Sequence, residues 1–281
     1  MISCIICSRR PDISAELKEN IASTIGCEYE LVVIDNSKNQ YSIFSAYNEG
    51  VRRAKGDILC FMHEDIIYHT DEWGKQIEEV FQQNHEYGLF GLAGSQLLPK
   101  EPTPWCSTLF SVSTMYSENV PTVASTFVDI NRLIVPVVAV DGVWMCIPRS
   151  MFNQIYFDES YEGFHMYDID TCLQVIKAGY KVGVLTTISV FHSSDGNYNT
   201  QWFNNMERCW KKWENLLPCS VIDNPKITDK TISYFGYLYD EMYSLRKDSY
   251  KMKMIESSKA YKLGHLILYP LKKICSKFKN N

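Results

Sequence analysis

The sequence Gly56-Asp57-Ile58-Leu59-Cys60-Phe61-Met62-His63-Glu64-Asp65 decides the predicted fold, because an apolar run stops abruptly at three side chains that can bind a metal or a proton. In an open parallel sheet, helices cover both faces, so an interior strand is almost continuously apolar. Ligands of such sheets collect in the crevice beyond the carboxyl ends of the strands. The stretch therefore predicts a buried strand that delivers His63, Glu64 and Asp65 to a crevice. The alternative is that charged residues merely end a strand where it meets water.

Two earlier apolar runs also end in polar residues. Residues 2–7 lead into Ser8, and residues 29–34 lead into Asp35. Each run is followed by a helical pattern, the first capped by Asp12 or Ser14 and the second spanning about residues 42–55. Alternation of strand and helix at this spacing predicts right-handed βαβ units in a parallel sheet. Because all three strands end in polar residues at one edge, the crevice interpretation is favoured over the alternative.

The chain continues this alternation and then changes character. Thr70 is the predicted cap of a third helix, and residues 89–93 are the next predicted strand. Residues 99–136 show no sustained period, which predicts either a flap over the crevice or a plain surface insertion. The last elements of the predicted sheet domain are a strand at 137–145, a helix that stops at Gly179, and a strand at 180–191 that closes at His192. We place the boundary of this domain near residue 200.

Residues 201–281 are predicted to form a helical C-terminal extension. Tryptophans and other apolar residues recur at helical spacing over 202–217, and a second apolar stripe covers 232–245. Residues 251–281 contain eight lysines and a single acidic residue, Glu256. A basic amphipathic helix suits the surface of an anionic membrane. The alternative is a docked helix with a solvated lysine face.

Composition excludes several classes of function. The chain has 281 residues and a formal charge of -5, whereas generic nucleic-acid binding requires a basic footprint. No apolar segment reaches the ~20 residues needed to cross a bilayer, and the opening apolar run is too short for a signal-peptide core. We therefore expect a cytoplasmic protein whose ten cysteines are mostly free thiols.

Seven short motifs occur in a fixed order. They are Ser3-Cys4-Ile5-Ile6-Cys7-Ser8, Leu31-Val32-Val33-Ile34-Asp35-Asn36-Ser37, Tyr47-Asn48-Glu49-Gly50 with Ala54-Lys55-Gly56-Asp57, Phe61-Met62-His63-Glu64-Asp65, Tyr167-Asp168-Ile169-Asp170, Gly179-Tyr180-Lys181 and Val190-Phe191-His192. Over roughly residues 1–200 the chain resembles the family 2 glycosyltransferases of GT-A fold. It is most similar to the glycosyltransferase-like domain associated with streptomycin-type biosynthetic clusters. The resemblance implies an α/β fold with a mostly parallel central sheet flanked by helices.

The resemblance also implies roles for individual residues. Asp35 matches the residue that contacts the nucleotide base, Asp65 matches the last acid of the metal-binding DxD motif, and Asp168 matches the catalytic base of inverting members. His192 matches a histidine that can complete the metal site, with His63 as the third candidate ligand. The implied donor-side set is Ser8, Arg9, Arg10, Asp35, Asn48, Arg53 and Glu64, and the implied acceptor-side set is Asp141, Trp144 and Asp170. His63 and Tyr167 depart from the family pattern, which has Asp and Glu at these positions.

The chemistry of sugar transfer is consistent with these roles. A divalent cation, Mn²⁺ or Mg²⁺, favours oxygen ligands such as Asp65 and Glu64. The imidazole of His63 favours Mn²⁺, or else it hydrogen-bonds the diphosphate. Asp168 at the start of a helix is the predicted base, and we expect the helix dipole to keep it ionised. Asp170 is the rival base. Asp158 or Glu159 are alternatives for orienting acceptor hydroxyls.

The sequence thus predicts a metal-dependent, inverting glycosyltransferase that moves a sugar from a nucleotide-diphosphate donor to a glycan or lipid-linked acceptor in polysaccharide biosynthesis. The basic tail adds peripheral attachment to the inner membrane face as a further expectation. A non-catalytic nucleotide-sugar-binding module is the alternative that the departures at His63 and Tyr167 keep open. A sugar-phosphate nucleotidyltransferase fits poorly, because the loop after the first strand, residues 7–11, lacks a glycine for a phosphate loop.

Overall fold

The structure is a computed structural model that describes residues 1–107, 110–116, 128–194 and 199–222. In these ranges the α-helices are α1 (Ala15–Thr24), α2 (Ile43–Arg53), α3 (Trp73–Gln83), α4 (Tyr167–Lys177) and α5 (Thr200–Lys212). The strands are β1 (Ile2–Ser8), β2 (Tyr29–Asp35), β3 (Ile58–Met62), β4 (Ile66–Tyr68), β5 (Tyr87–Gly91), β6 (Ala93–Ser95), β7 (Leu97–Leu98), β8 (Ser111–Ser113), β9 (Met115–Tyr116), β10 (Ile134–Val137), β11 (Ala139–Val140), β12 (Trp144–Pro148), β13 (Lys181–Leu185), β14 (Val190–His192) and β15 (Cys219–Ser220). Short 3₁₀ helices lie at Trp105–Ser107 and Arg149–Asn153.

A seven-stranded sheet forms the centre of the described part of the chain. Its strand order is β10-β13-β5-β12-β3-β1-β2. Strand β1 is parallel to both β2 and β3, and β13 is parallel to β5. Strand β12 is antiparallel to its two neighbours, and β10 is antiparallel to β13. Five of the seven strands therefore run in one direction, which confirms the predicted α/β fold with a mostly parallel central sheet.

The register of the sheet brings the polar strand ends to one edge. Ser8 pairs with Asp35 at the ends of β1 and β2, and Ile6 pairs with Met62, the residue before His63. The reversed strand β12 begins at the edge where the parallel strands end. The backbone N–H of His63 donates to the carbonyl of Val143, 3.0 Å away, and so joins the two. The turn before β12 thereby faces the same crevice as the ends of β1, β2 and β3.

Helices cover both faces of the sheet, as the continuous apolar strands predict. On one face, Tyr47 of α2 packs on Phe61 of β3 with ring centroids 4.9 Å apart. A β-carbon added at Gly50 of α2 would lie 2.3 Å from the Ile5 side chain, so only glycine lets this helix approach β1. On the other face, α1 and α3 bury their apolar residues against β1, β3 and β12. The site is therefore held by strands that are packed on both sides.

The helix starts agree with the sequence in two cases and differ in a third. Ser14 and Ser42 cap α1 and α2 through their side chains, as their positions indicated. Thr70 does not cap α3, because the cap residue is Glu72, which has a left-handed backbone and no side-chain capping bond. The hydroxyl of Thr70 instead accepts a hydrogen bond from the backbone N–H of Ser189, 3.0 Å away. The chain thus uses Thr70 to tie the segment before α3 to the segment before β14.

The segment expected to be irregular, 99–136, contains short strands where the structure describes it. Strand β8 pairs with β6, and β9 pairs in parallel with β14. These small sheets lie against the crevice, so the described part of the segment forms a wall of it. Residues 108–109 and 117–127 of the predicted flap lie outside the described ranges.

The first compact unit of the chain runs from Met1 to Ile232 and includes α5 and β15. The sequence placed a boundary near residue 200, whereas this unit continues beyond it. The second unit, Ser233–Asn281, lies outside the described residues, and with it lie the helices predicted at 232–245 and in the basic tail. Within the described ranges, every helix is too short or too polar to cross a membrane. The cysteines of these ranges are free thiols, as predicted.

A buried ion pair attaches α5 to α4. The carboxylate of Asp170, whose side chain is only 1% exposed, lies 2.8 Å from the ammonium of Lys212. Trp213 and Gln174 each donate a side-chain hydrogen bond to Asp170 at 2.8 Å. A buried carboxylate requires partners of this kind, because burial of an unpaired charge is costly. Asp170 therefore has a structural role, and the tryptophan stripe of α5 is a packing face.

Removal of Lys212 should reveal the cost in stability of burying Asp170 without a cationic partner. The substitution Lys212→Ala leaves Asp170 buried with only its neutral donors, so we expect it to lower the free energy of unfolding by about 3 kcal/mol. Thermal denaturation followed by circular dichroism measures the change. Lys211→Ala is the matched control, because Lys211 pairs with Glu214 on the surface and such pairs contribute little. Equal melting temperatures for the two variants would contradict the structural role of Asp170.

Candidate active site

A cavity of about 850 Å³ opens at the carboxyl edge of the parallel strands. Its size lies within the range of ligand pockets. The cavity brings together seven of the residues predicted for the site, namely Arg9, His63, Glu64, Asp65, Asp141, Asp168 and His192. They come from the ends of β1, β3 and β14, the turn before β12 and the first turn of α4. The register of the central sheet explains why the ends of β1 and β3 and the turn before β12 meet at one edge. His192 joins them because it pairs with Ile66 of β4, the residue after Asp65.

Two imidazoles and a carboxylate form a compact triangle in this cavity. His63 Nδ1 lies 3.3 Å from His192 Nε2 and 3.9 Å from an Asp65 oxygen, and His192 Nε2 lies 3.4 Å from the same oxygen. These three side chains meet the geometric criterion for a shared metal ion. Atoms bound to one cation at ~2.1 Å lie at most roughly 4.2 Å from one another, and all three distances are below this limit. The triangle therefore fits a single divalent cation.

The protonation of the triangle also suits a cation. Burial, followed by the neighbouring charge of His192, lowers the pKa of His63 and favours its neutral form. Burial alone would raise the pKa of Asp65, but hydrogen bonds from His192 and Ser194 outweigh it and hold that pKa well below the usual range. Metal ligands must be neutral imidazoles and ionised carboxylates. Both groups are therefore in the form that binds a metal.

Glu64 points away from this triangle. Its carboxylate accepts a hydrogen bond from Ser8 Oγ at 2.6 Å and from Arg9 Nε at 2.8 Å. Both oxygens are thus engaged with the loop after β1, so the expectation that Glu64 supplies a metal ligand is not supported by its position. Glu64 instead holds the Ser8 to Arg10 loop against the end of β3. The ligand set has one carboxylate and two imidazoles, which is less suited to Mg²⁺ than an all-oxygen set.

Asp168 lies on the cavity wall in the first turn of α4. Its two carboxylate oxygens accept backbone hydrogen bonds from Gly142 at 3.1 Å and from Ile169 at 2.9 Å. Burial and, second, the negative charge of Asp141 raise the pKa of Asp168 to about 7. The sequence led us to expect that the helix dipole keeps this group ionised. Burial and the Asp141 charge instead outweigh the backbone hydrogen bonds that favour the charged form. A carboxylate with a pKa near neutrality is well matched to accept a proton.

Four predicted site residues lie away from the cavity. Trp144 is buried in the core, where its ring N–H donates to the Tyr68 hydroxyl at 2.7 Å. Asn48 donates to the carbonyl of Phe157 at 2.8 Å, and Arg53 pairs with Glu49 of its own helix. Asp170 is the buried partner of Lys212, which removes it as the rival base. Each of these side chains is engaged in packing or in a local pair, so the structure does not bring them to the cavity as the sequence roles required.

Three further predicted residues lie at the same edge of the sheet without lining the cavity. Asp35 is exposed at the end of β2, where its carboxylate accepts from the backbone N–H of Ser37 at 2.9 Å. Ser8 is buried against Glu64, and Arg10 is exposed on the same loop. They occupy the rim next to Arg9. The alternatives Asp158 and Glu159 belong to the surface network around Lys212 and Asn48.

Sequence reasoning missed several residues that line the cavity. They are Asn36, Trp105, Tyr116, Phe164, His165, Gln201 and Trp202. Asn36 and Tyr167 stood within quoted motifs, so their positions could have been inferred from the sheet edge. The isolated aromatic residues in loops carry no periodic signal. Trp202 reaches the cavity because α5 packs beside α4, a contact that depends on the Asp170 pair.

Solved structures with a similar fold include TarS and GalNAc-T7. TarS of S. aureus in complex with UDP matches with a TM-score of 0.53 and 14% identity over 83% of this chain and 70% of that chain. GalNAc-T7 with UDP, GalNAc and Mn²⁺ matches with a TM-score of 0.51 and 11% identity over 75% of this chain. The chain spans 48% of the length of that protein. These likenesses confirm the predicted GT-A fold.

Family membership follows from the sequence itself. No curated protein sequence matches the chain significantly. The family described as "Glycosyltransferase like family" matches residues 1–213, which include every strand and helix that forms the cavity. Because this match covers about three quarters of the 281 residues, the chain belongs to this glycosyltransferase-like family, as the sequence motifs predicted.

Proposed function

We propose that the protein transfers a sugar from a nucleotide-diphosphate donor to a hydroxyl group of a glycan or lipid-linked acceptor, with inversion and with the help of a divalent cation. One observation carries the proposal: a single cavity contains both the His63, Asp65 and His192 triangle and the half-buried carboxylate of Asp168. The donor class is supported by TarS, which was solved with UDP and with UDP-GlcNAc. The cation is supported by the Mn²⁺ of GalNAc-T7.

The triangle would hold the cation, and Mn²⁺ suits its mixed nitrogen and oxygen atoms better than Mg²⁺. When bound, the cation supplies positive charge that stabilises the diphosphate leaving group. The remaining donor contacts would come from the loop after β1. Arg9, whose Nε is anchored by Glu64, presents its guanidinium at the cavity mouth, where it can bind a phosphate oxygen. Asp35, exposed on the rim, would contact the nucleotide base.

Asp168 would act as the base on the opposite side of the sugar. As the acceptor oxygen forms its bond to the anomeric carbon, the bond from that carbon to the diphosphate oxygen breaks, and the acceptor proton moves to the Asp168 carboxylate. A single displacement of this kind inverts the anomeric configuration. The N–H groups of Gly142 and Ile169 keep the carboxylate oriented during the step. Asp141, whose charge raises the pKa of Asp168, completes this side of the cavity.

The cellular setting of the reaction is also part of the proposal. A cytoplasmic enzyme in polysaccharide biosynthesis would meet lipid-linked acceptors at the inner membrane face. The basic tail, eight lysines with one glutamate over residues 251–281, would provide electrostatic attraction to anionic lipids. The support for this step is the charge pattern of the sequence.

The metal ligands can be tested through nucleotide affinity. Loss of a hydrogen-bond partner of a metal ligand commonly costs about 10–100-fold in metal affinity. Asp65 is itself a proposed ligand, so Asp65→Ala should abolish most Mn²⁺-dependent binding of UDP. Isothermal titration of UDP with and without Mn²⁺ measures this. Asp71→Ala, an exposed carboxylate outside the cavity, is the control. If the wild-type protein binds UDP with the same affinity in the presence and absence of Mn²⁺, the proposed metal site is refuted.

The base can be tested through turnover. Asp168→Asn retains the shape of the side chain but cannot accept a proton, so the rate of UDP release from a panel of UDP-sugars should fall by about 10²–10⁴-fold, the usual contribution of a general base. The affinity for UDP should stay unchanged, since Asp168 is absent from the metal triangle. Asp71→Asn is the matched control. Undiminished turnover in Asp168→Asn would eliminate Asp168 as the base, and inactive wild-type protein that still binds UDP would indicate a non-catalytic module.

The pH dependence follows from the raised pKa of Asp168. The carboxylate is the active form, and its fraction rises as the pH passes through about 7. The rate should therefore increase with pH and level off above neutrality. Asp141→Asn removes the neighbouring charge that helps to raise the pKa of Asp168, so the rise should move to lower pH. The readout is the pH of half-maximal rate, and an unchanged midpoint would contradict the assignment.

A further inference from the structure

The two positions at which the chain departs from the resembled family contact each other. His63 stands where an aspartate is usual, and Tyr167 stands where a glutamate is usual. The ring Nε2 of His63 lies 3.0 Å from the hydroxyl of Tyr167, although 104 positions separate the two residues in sequence. Taken separately, each departure suggests a weakened site. Their direct hydrogen bond indicates instead that the two residues work as a pair.

The two ring nitrogens of His63 have different neighbours. Nε2 lies next to the Tyr167 hydroxyl, and Nδ1 faces the proposed cation site. A neutral imidazole has a proton on one nitrogen and a lone pair on the other. When Nε2–H donates to the Tyr167 oxygen, the lone pair lies on Nδ1. Nδ1 is the atom that faces the other two ligands, 3.3 Å from His192 and 3.9 Å from Asp65. A cation bound at Nδ1 would leave the ring proton on Nε2, where the Tyr167 oxygen lies within hydrogen-bond distance and can hold the ring in this orientation.

The protein holds the Tyr167 hydroxyl in a narrow space. Tyr167 is only 5% exposed, and its ring makes an edge contact with Tyr47 at a centroid distance of 5.5 Å. A β-carbon added at Gly142 would lie 2.3 Å from the hydroxyl oxygen, so the phenol can occupy this place only because residue 142 is a glycine. In the same turn, the carbonyl of Val143 accepts a hydrogen bond from the backbone N–H of His63. The end of β3, the turn before β12 and the start of α4 thus fix the positions of both His63 and Tyr167.

We propose that Tyr167 is a positioning residue that orients His63 as a ligand of the divalent cation. The proposal rests on the proposed metal-assisted function and extends it to a residue outside the triangle. It explains the two departures as a coupled pair: an imidazole in place of a carboxylate requires an acceptor for its second nitrogen, and Tyr167 provides that acceptor. A carboxylate ligand has no ring N–H that requires an acceptor.

The experiment is a double-substitution cycle read by Mn²⁺ affinity. Wild type, Tyr167→Phe, His63→Asp and the double variant are titrated with Mn²⁺ in the presence of UDP. We expect Tyr167→Phe to raise the Mn²⁺ Kd about tenfold or more, the usual cost of losing such a partner. In the His63→Asp background the same substitution should leave the Kd unchanged. A general packing defect would weaken binding in both backgrounds.

Tyr161→Phe is the matched control. Tyr161 is as buried as Tyr167 and stacks on Phe44, which Tyr167 also touches, but within the described residues its hydroxyl has no hydrogen-bond partner. Its loss should leave Mn²⁺ affinity unchanged. Circular dichroism melting checks that each variant is folded. If Tyr167→Phe does not fold, Gly142→Ala replaces it, because the added methyl group displaces the phenol and should weaken Mn²⁺ binding in the same way.

Each outcome decides the proposal. The proposal is overturned if the Mn²⁺ Kd of Tyr167→Phe equals that of wild type. It is also overturned if Tyr167→Phe weakens Mn²⁺ binding equally in the wild-type and His63→Asp backgrounds. In both cases the metal site itself still stands. Wild-type protein that binds no Mn²⁺ overturns this proposal together with the metal-assisted function. If His63→Asp alone abolishes binding, the comparison of Tyr167→Phe with Tyr161→Phe decides, and a selective loss in Tyr167→Phe supports the positioning role.

Discussion

The register between β3 and the reversed strand β12 is the constraint on which the site depends. Parallel strands deliver only their carboxyl ends to the crevice, and these ends contribute Ser8, Asp35 and His63. An antiparallel strand inserted beside β3 delivers its amino end to the same edge. The hydrogen bond from His63 to Val143 then brings the turn that carries Asp141 against the end of β3. Without this reversal, Asp168 would lose both the N–H of Gly142 and the neighbouring charge that raises its pKa.

The pKa values of two carboxylates in the same cavity, Asp65 and Asp168, are shifted in opposite directions. Asp65 is surrounded by hydrogen-bond donors, which outweigh its burial and lower its pKa. Asp168 has backbone donors too, but burial and the like charge of Asp141 dominate and raise its pKa to about 7. Such a division is how one site can keep one acid permanently charged for a cation and another ready to take up a proton. The division follows from position rather than from residue type.

The helical segment after residue 200 contributes to the site through a buried charge. Asp170 lies two residues after Asp168 on α4, and its pair with Lys212 joins α4 to the end of α5. Trp202, near the start of α5, lines the cavity. A role for Asp170 as the base would require it to be open to an acceptor, whereas its carboxylate is enclosed by a tryptophan, a glutamine and a lysine. Of the two acids in this motif, Asp168 lines the cavity and Asp170 does not.

The sequence by itself determined the α/β class and the parallel strand edge, because these depend on local periodicity and on residues that follow strand ends. The resemblance to the family, rather than periodicity, indicated His192 as a candidate ligand and Asp168 as the candidate base. The sequence could not separate Asp168 from Asp170 in chemical role, remove Trp144 and Asn48 from the site, or turn Glu64 away from the cation. Nor could it show that His63 and Tyr167 touch. Those outcomes depend on which side chains meet across elements far apart in the chain. Only tertiary packing decides this, since burial and the nearest charge set what each polar group can do.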